Sequence, residues 1–146
     1  MRIAVALLAA ALALPVGAAA HVTFSPPFVE SGVATEIAVV VPNERPPHAT
    51  VAVRAAMPAG ISIESAPAPP GWNASVDGPT VTWSEGRIEG RGEVEFSLRI
   101  QADGRPGTTS VAASQTYDDG AVVRWKSDLS VLPASGDAAA NERPWG

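Results

Sequence analysis

The chain has 146 residues, 10 basic and 15 acidic, a formal charge of −5 and no cysteine. An acidic chain with scattered arginines lacks the basic stripe that phosphate neutralisation requires, which excludes a nucleic-acid binder. Without cysteine there is no disulfide, thiolate cluster or lipid-modified cysteine, so burial alone must hold the fold.

The N-terminal segment reads as an export signal. Arg2 is its one basic residue, Ile3 to Leu14 is an unbroken run of Ala, Leu, Val and Ile, and Pro15 ends that run. Ala18-Ala19-Ala20 fits the small-x-small cleavage rule, with the cut before His21. The apolar run is about a dozen residues, short of the roughly 20 that cross a bilayer. Residues 1–20 are therefore expected to be removed, leaving an extracytoplasmic protein, periplasmic or secreted, with no membrane span.

From residue 21 the apolar pattern has a period of two. Thr35 to Val41 is a continuous apolar run, expected of a strand buried on both faces. Val51, Val53, Ala55 and Met57 alternate with Ala52, Arg54 and Ala56. Ile61 and Ile63 make a shorter strand, and Val81 and Trp83 another after the Asp77-Gly78-Pro79 turn. Val94, Phe96, Leu98 and Ile100 alternate with Glu93, Glu95, Ser97 and Arg99, the cleanest half-buried strand in the chain. Val111 to Tyr117 and Ala121 to Trp125 flank Asp118-Asp119-Gly120, and Asp-Gly between two strand patterns signals a hairpin whose two residues both tolerate positive φ. Prolines and glycines fall between these runs, and no helical pattern survives past the signal. The expected fold is an all-β, immunoglobulin-like antiparallel β-sandwich over residues 21–132. Residues 133–146, small, polar and Pro-containing, are expected to form a disordered tail.

Cleavage before His21 would give that residue two donors, the free α-amine and the ring Nδ1, which chelate one metal in a six-membered ring. An α-amine titrates near ~7.7–8, so a metal can displace its proton at neutral pH. Amine, imidazole and carboxylate donors suit square-planar Cu(II), which heads the affinity order of the divalent ions. A histidine can also stand first by chance, and position alone does not decide between the two.

Seven short motifs sharpen the reading. They are His21-Val-Thr-Phe-Ser-Pro26, Val41-Pro-Asn-Glu44, Met57-Pro-Ala-Gly60, Pro70-Gly-Trp72, Val81-Thr-Trp83-Ser-Glu-Gly86, Gln115-Thr-Tyr-Asp-Asp-Gly120 and Val123-Arg-Trp125. In order and spacing they resemble the YcnI-like copper-binding domain family of exported bacterial proteins. The resemblance covers His21 to about Leu132. It implies an immunoglobulin-like sandwich that holds one Cu(II) in a brace built from a single histidine. The histidine is then His21, the assisting carboxylate Glu44, and the tryptophan beside the metal Trp125, which covers an open coordination position rather than donating a ligand.

Each of these residues has a plainer rival role. Glu44 can be a solvated acid or the partner of Arg45, and Trp125 can be ordinary core. Trp72 and Trp83 read as core or rim aromatics. Gln115 and Tyr117, inside a matched motif, suit hydrogen bonding either behind the site or within the strand pair. His48 belongs to no matched motif. It is either an exposed loop histidine or a second imidazole, which would move the site toward a copper oxygenase.

Three functions remain open. The first is a non-enzymatic copper protein that stores, buffers or delivers Cu(II) outside the cytoplasm, with a copper chaperone or a membrane copper transporter as its partner. The second is a copper oxygenase, and the third a metal-free adhesion or interaction sandwich. The first accounts for His21, Glu44 and Trp125 together. No Ser–His–Asp set and no phosphate-cradling glycine loop suggests another enzyme.

Overall fold

The structure, a computed structural model, describes residues 21–135. The expected signal segment therefore lies outside the described residues, as does the tail beyond Ser135. Ten strands follow one another: β1 (Thr23–Ser25), β2 (Phe28–Glu30), β3 (Thr35–Pro42), β4 (Thr50–Ala56), β5 (Ile61–Ser65), β6 (Asn73–Asp77), β7 (Thr80–Ile88), β8 (Glu93–Ala102), β9 (Gly107–Tyr117) and β10 (Val122–Leu132). They form a four-stranded sheet, β1-β3-β8-β5, and a six-stranded sheet, β2-β10-β9-β4-β7-β6. Among the described residues no helix is long and apolar enough to cross a membrane.

The period-two pattern sorts side chains between the sheets. Ile37, Val39 and Val41 of β3, Phe96, Leu98 and Ile100 of β8, Val53 and Ala55 of β4, and Leu129 and Val131 of β10 all face the core. Trp83 is fully buried, and its indole N–H donates to the Pro67 carbonyl at 3.2 Å. Phe96 lies 4.8 Å from Trp83 and 5.0 Å from Trp72, centroid to centroid, the latter pair edge to face. Trp72 and Trp83 are therefore core, as expected.

Five details depart from the sequence reading. β3 is buried on one face only, because Glu36, Ala38 and Val40 point out from its sheet and are not fully covered. The apolar run is unbroken only over residues 37–41, where Ala38 and Val40 are the apolar residues of that outer face; Glu36 interrupts it. One pairing is parallel rather than antiparallel: β2 lies along the end of β10, with Val29 level with Val131. Here the N-terminal segment leaves one sheet at Pro26-Pro27 and joins the other, since prolines cannot donate to a ladder. A bulge between Thr50 and Ala52 carries Thr50 inward and leaves Val51 half-buried. In the β9–β10 hairpin only Gly120 takes positive φ, at 85°, and Asp119 does not. A three-residue loop with a left-handed final residue closes on the Tyr117 N–H to Ala121 carbonyl bond of 2.9 Å. The strand β6 carries only a weak apolar alternation, Ala74 and Val76 among polar residues, and all five of its residues are exposed.

The chain end is tied down as far as Ser135, within the expected tail. Its amide and hydroxyl donate to Glu30 at 2.6 and 2.5 Å, and these bonds hold the Glu30 carboxyl below its usual pKa.

Candidate metal centre

His21 stands exposed at the mouth of the sandwich, while Val22, next in the chain, is completely buried. Val22 is anchored twice: its side chain lies in the core, and its carbonyl accepts the hydroxyl of Ser127 on β10. A buried neighbour held in this way fixes the direction in which His21 leaves the domain. The imidazole meets the Trp125 indole edge to face, with centroids 5.0 Å apart and planes at 81°. Such a pairing is worth about 0.5–1.5 kcal/mol beyond the area it covers.

Trp125 sits on the inward face of β10, half-buried against the core. Its N–H donates to the Gln115 side-chain oxygen at 3.1 Å. Gln115 is fully buried, and its amide nitrogen donates to the Pro42 carbonyl at 2.8 Å and the Thr50 hydroxyl at 2.7 Å. Thr50 donates to Asn43 at 2.8 Å, and the Asn43 amide donates to the carbonyls of Gly90 and His48. A continuous buried polar chain thus runs from the indole to the loop that begins at Asn43. This assigns Gln115 to bonding behind the His21–Trp125 pair.

Glu44 is the residue after Asn43. Thr23 pairs with Val40 across β1 and β3, and continuing that register by two residues sets His21 level with Pro42. Glu44 therefore follows two residues after the position opposite His21. It is half-buried and makes no ion pair with His21 or any other described residue. Arg45 is engaged elsewhere: it holds Asp119 with two bonds of 3.1 Å and lies 4.9 Å over the Tyr117 ring. The Glu44–Arg45 pair considered from sequence is not formed. The Tyr117 hydroxyl is buried near Glu44 and Thr50 without a hydrogen bond of good geometry, and burial, chiefly, pushes its pKa up.

A second carboxylate near His21 escaped the sequence reading. A shallow cavity of about 250 Å³ is bounded by His21, Phe24, Lys126 and Asp128, among others. Asp128 is exposed on β10 next to the buried Ser127 that holds Val22. The bond between Ser127 and Val22 is what brings this stretch beside His21, and nothing in the residue pattern signalled it.

His48 is committed to the hairpin loop. Its Nδ1 lies 3.0 Å from Asp118 and its Nε2 3.7 Å from Asp119. Arg87 and Arg45 hold the same two carboxylates at 3.1 Å. The donor atoms of His48, Asp118 and Asp119 cluster within 4.8 Å, but with two arginines already on the carboxylates the group is an ion network.

The donors present are of the kind that suits Cu(II): an exposed imidazole with an indole edge-on to it, and carboxylates free of arginine at Asp128, on the same cavity as His21, and at Glu44, in the loop that follows the residue level with His21. The fold and this arrangement define the chain as an immunoglobulin-like β-sandwich with a histidine–tryptophan pair at the start of its first strand. Residues 21–80 match the model of the family described as "Domain of unknown function (DUF1775)", consistent with the YcnI-like domain that the motifs resemble. No curated protein matches the chain. Among solved structures it is similar to an uncharacterized protein from Nocardia farcinica with an immunoglobulin-like fold, at 26% identity and a TM-score of 0.65 over 77% of this chain and 98% of that one. The major pilin subunit BcpA of Bacillus cereus aligns at 11% identity and a TM-score of 0.57, over 77% of this chain and 39% of that one. A non-cellulosomal cohesin from Archaeoglobus fulgidus aligns at 10% identity and 0.51, over 85% of this chain and 95% of that one. These last two are alike in fold alone.

Proposed function

We propose that the chain is exported, cleaved before His21, and holds one Cu(II) outside the cytoplasm for storage, buffering or delivery. His21 supplies its α-amine and Nδ1, Glu44 a carboxylate, and Trp125 covers an open position. The observation that carries this reading is the edge-to-face contact of His21 with Trp125. Two residues from opposite ends of the domain meet at the one histidine whose backbone amine cleavage would free. Copper bound there would sit in an amine–imidazole chelate accessible to a partner, and the protein's residues would orient the ring and limit water. His48 favours binding over oxygenase chemistry, because both its nitrogens face carboxylates of the hairpin.

The test compares protein beginning at His21 with the same protein carrying one extra Met before it. The native start should bind one Cu(II), and the extended start should bind more weakly by on the order of tenfold or more, because the amine leaves the chelate while the imidazole stays. Equal affinities would refute the brace. Mass spectrometry of the exported protein should give His21 as its first residue.

A further inference from the structure

The outer face of the six-stranded sheet carries a feature that the copper reading does not use. Arg54 on β4, Ser114 on β9 and Arg124 on β10 lie in one cross-strand row, Arg54 and Arg124 each level with Ser114. The next row is Ala56, Ala112 and Lys126. Neighbouring strands are about 4.8 Å apart, so the two arginines flank a gap of about 10 Å with Ser114 as its floor. Lys126 stands about 7 Å along β10 from Arg124. The alanines leave room, and the result is a groove of about 410 Å³. Arg54, Arg124 and Lys126 are exposed, and none forms an ion pair with another described residue. In contrast, Arg45, Arg87 and Arg99 are all paired. The acids of the same face, Glu30, Asp77 and Asp128, do not line the groove. Three unpaired cations gathered on one face of a chain of charge −5 make a local field opposite in sign to the whole.

We infer that this groove binds a small anion bearing two or more oxyanion groups, gripped by Arg54 and Arg124 with Lys126 and the Ser114 hydroxyl beside them. Arginine forks match the planar oxygens of carboxylate and phosphate. The groove has the volume of a small-molecule site, which commonly spans ~300–1,000 Å³. Anionic lipid surfaces are usually met by clusters of ~4–8 basic residues, and the negative charge of the rest of this chain opposes such a surface. The groove adjoins the metal centre, since Lys126 borders both cavities and Trp125 is among the groove's lining residues, but its two arginines stand on the outer face of the sheet while the Trp125 indole turns toward Gln115 and His21.

Metal-free protein should be titrated calorimetrically with pyrophosphate and with tricarballylate, at low and at physiological salt. Saturable binding of one anion per chain is expected, weakening as salt rises. The preferred probe identifies phosphate or carboxylate as the natural group. Arg54→Gln with Arg124→Gln should lower affinity by at least about tenfold, since the arginine forks supply the grip. Arg105→Gln, an exposed arginine outside the groove, should bind like native protein, and thermal melts should show each variant folded. No saturable binding, an affinity unchanged in the double variant, or binding only to phosphatidylglycerol vesicles would each overturn the proposal.

Discussion

The His21 imidazole stands edge-on to the Trp125 indole at 5.0 Å, and the same indole donates its N–H to the buried Gln115 at 3.1 Å. Trp125 is therefore both a wall of the candidate metal centre and a member of the core. A melting temperature alone does not separate the two roles, because Phe in its place leaves the Gln115 oxygen unpaired at a cost of about 1–3 kcal/mol. Quenching does separate them. Cu(II) should quench native fluorescence strongly and Trp125→Phe much less, while replacing Trp145, a tryptophan of the expected tail, by Phe should leave the native behaviour. The Phe variant should still bind one Cu(II), and ascorbate should reduce that copper faster. Full quenching in folded Trp125→Phe would remove the residue from the site.

Gln115 is the hub behind the pair. It accepts from Trp125 and donates to Pro42 and Thr50, with no exposed surface. Gln115→Leu keeps the volume and deletes three bonds, leaving the indole N–H and the Pro42 carbonyl unpaired. The expected loss is about 2–4 kcal/mol, since a half-satisfied buried network is costly. The same variant should weaken Cu(II) binding without touching a ligand, because Pro42 leads into the Glu44 loop. Calorimetric unfolding and a copper titration on one preparation measure both effects. Loss of stability with copper affinity unchanged would confine Gln115 to the strand pair.

Much of this was legible in sequence. Alternation at Val94 to Ile100 marked β8 because a half-buried strand writes period two directly. The Asp-Gly dipeptide marked the hairpin, although only Gly120 needs positive φ. His21, Glu44 and Trp125 came from motifs in register, which encode position without contact. What stayed hidden has physical causes. β6 is an edge strand with no buried side chain, so its pattern is reduced to Ala74 and Val76, and the parallel β2–β10 pair depends on where Pro26-Pro27 diverts the chain. The commitment of His48 to Asp118 and Asp119 joins residues far apart in sequence through a loop contact that no periodicity reports.

Gly86 is a position where space, not φ, demands glycine. A Cβ there would lie 2.0 Å from the Trp72 ring, which is itself packed edge-on to Phe96. Gly86→Ala should expel or tilt the indole and cost about 1–3 kcal/mol or more. Trp72→Leu alone should also destabilise, by leaving a cavity. The double variant should cost less than the sum, because the two changes share one contact. Strict additivity in denaturant unfolding would show that the ring and the glycine do not meet.

The hairpin ion network predicts how stability follows pH. Bonds from the Ala49 backbone N–H and the His48 ring, with Arg87 beside them, hold the Asp118 carboxyl below its ordinary 3.8. Arg45 and the Ala121 N–H do the same for Asp119. A carboxylate with a depressed folded-state pKa contributes stability that is fully present above the ordinary value and lost as pH falls through the lower one. Asp118→Asn with Asp119→Asn should therefore melt below native protein at neutral pH, and the gap should close on acidification below 3.8. Both carboxylates are near the surface, so high salt should shrink the gap as well. His48→Ala should remove part of the effect and leave one Cu(II) bound with an unchanged paramagnetic resonance spectrum, because its ring faces the hairpin acids. Melting curves that stay parallel across the acid range would show that the network contributes nothing to folding. A nitrogen ligand lost in His48→Ala would return that residue to the metal centre.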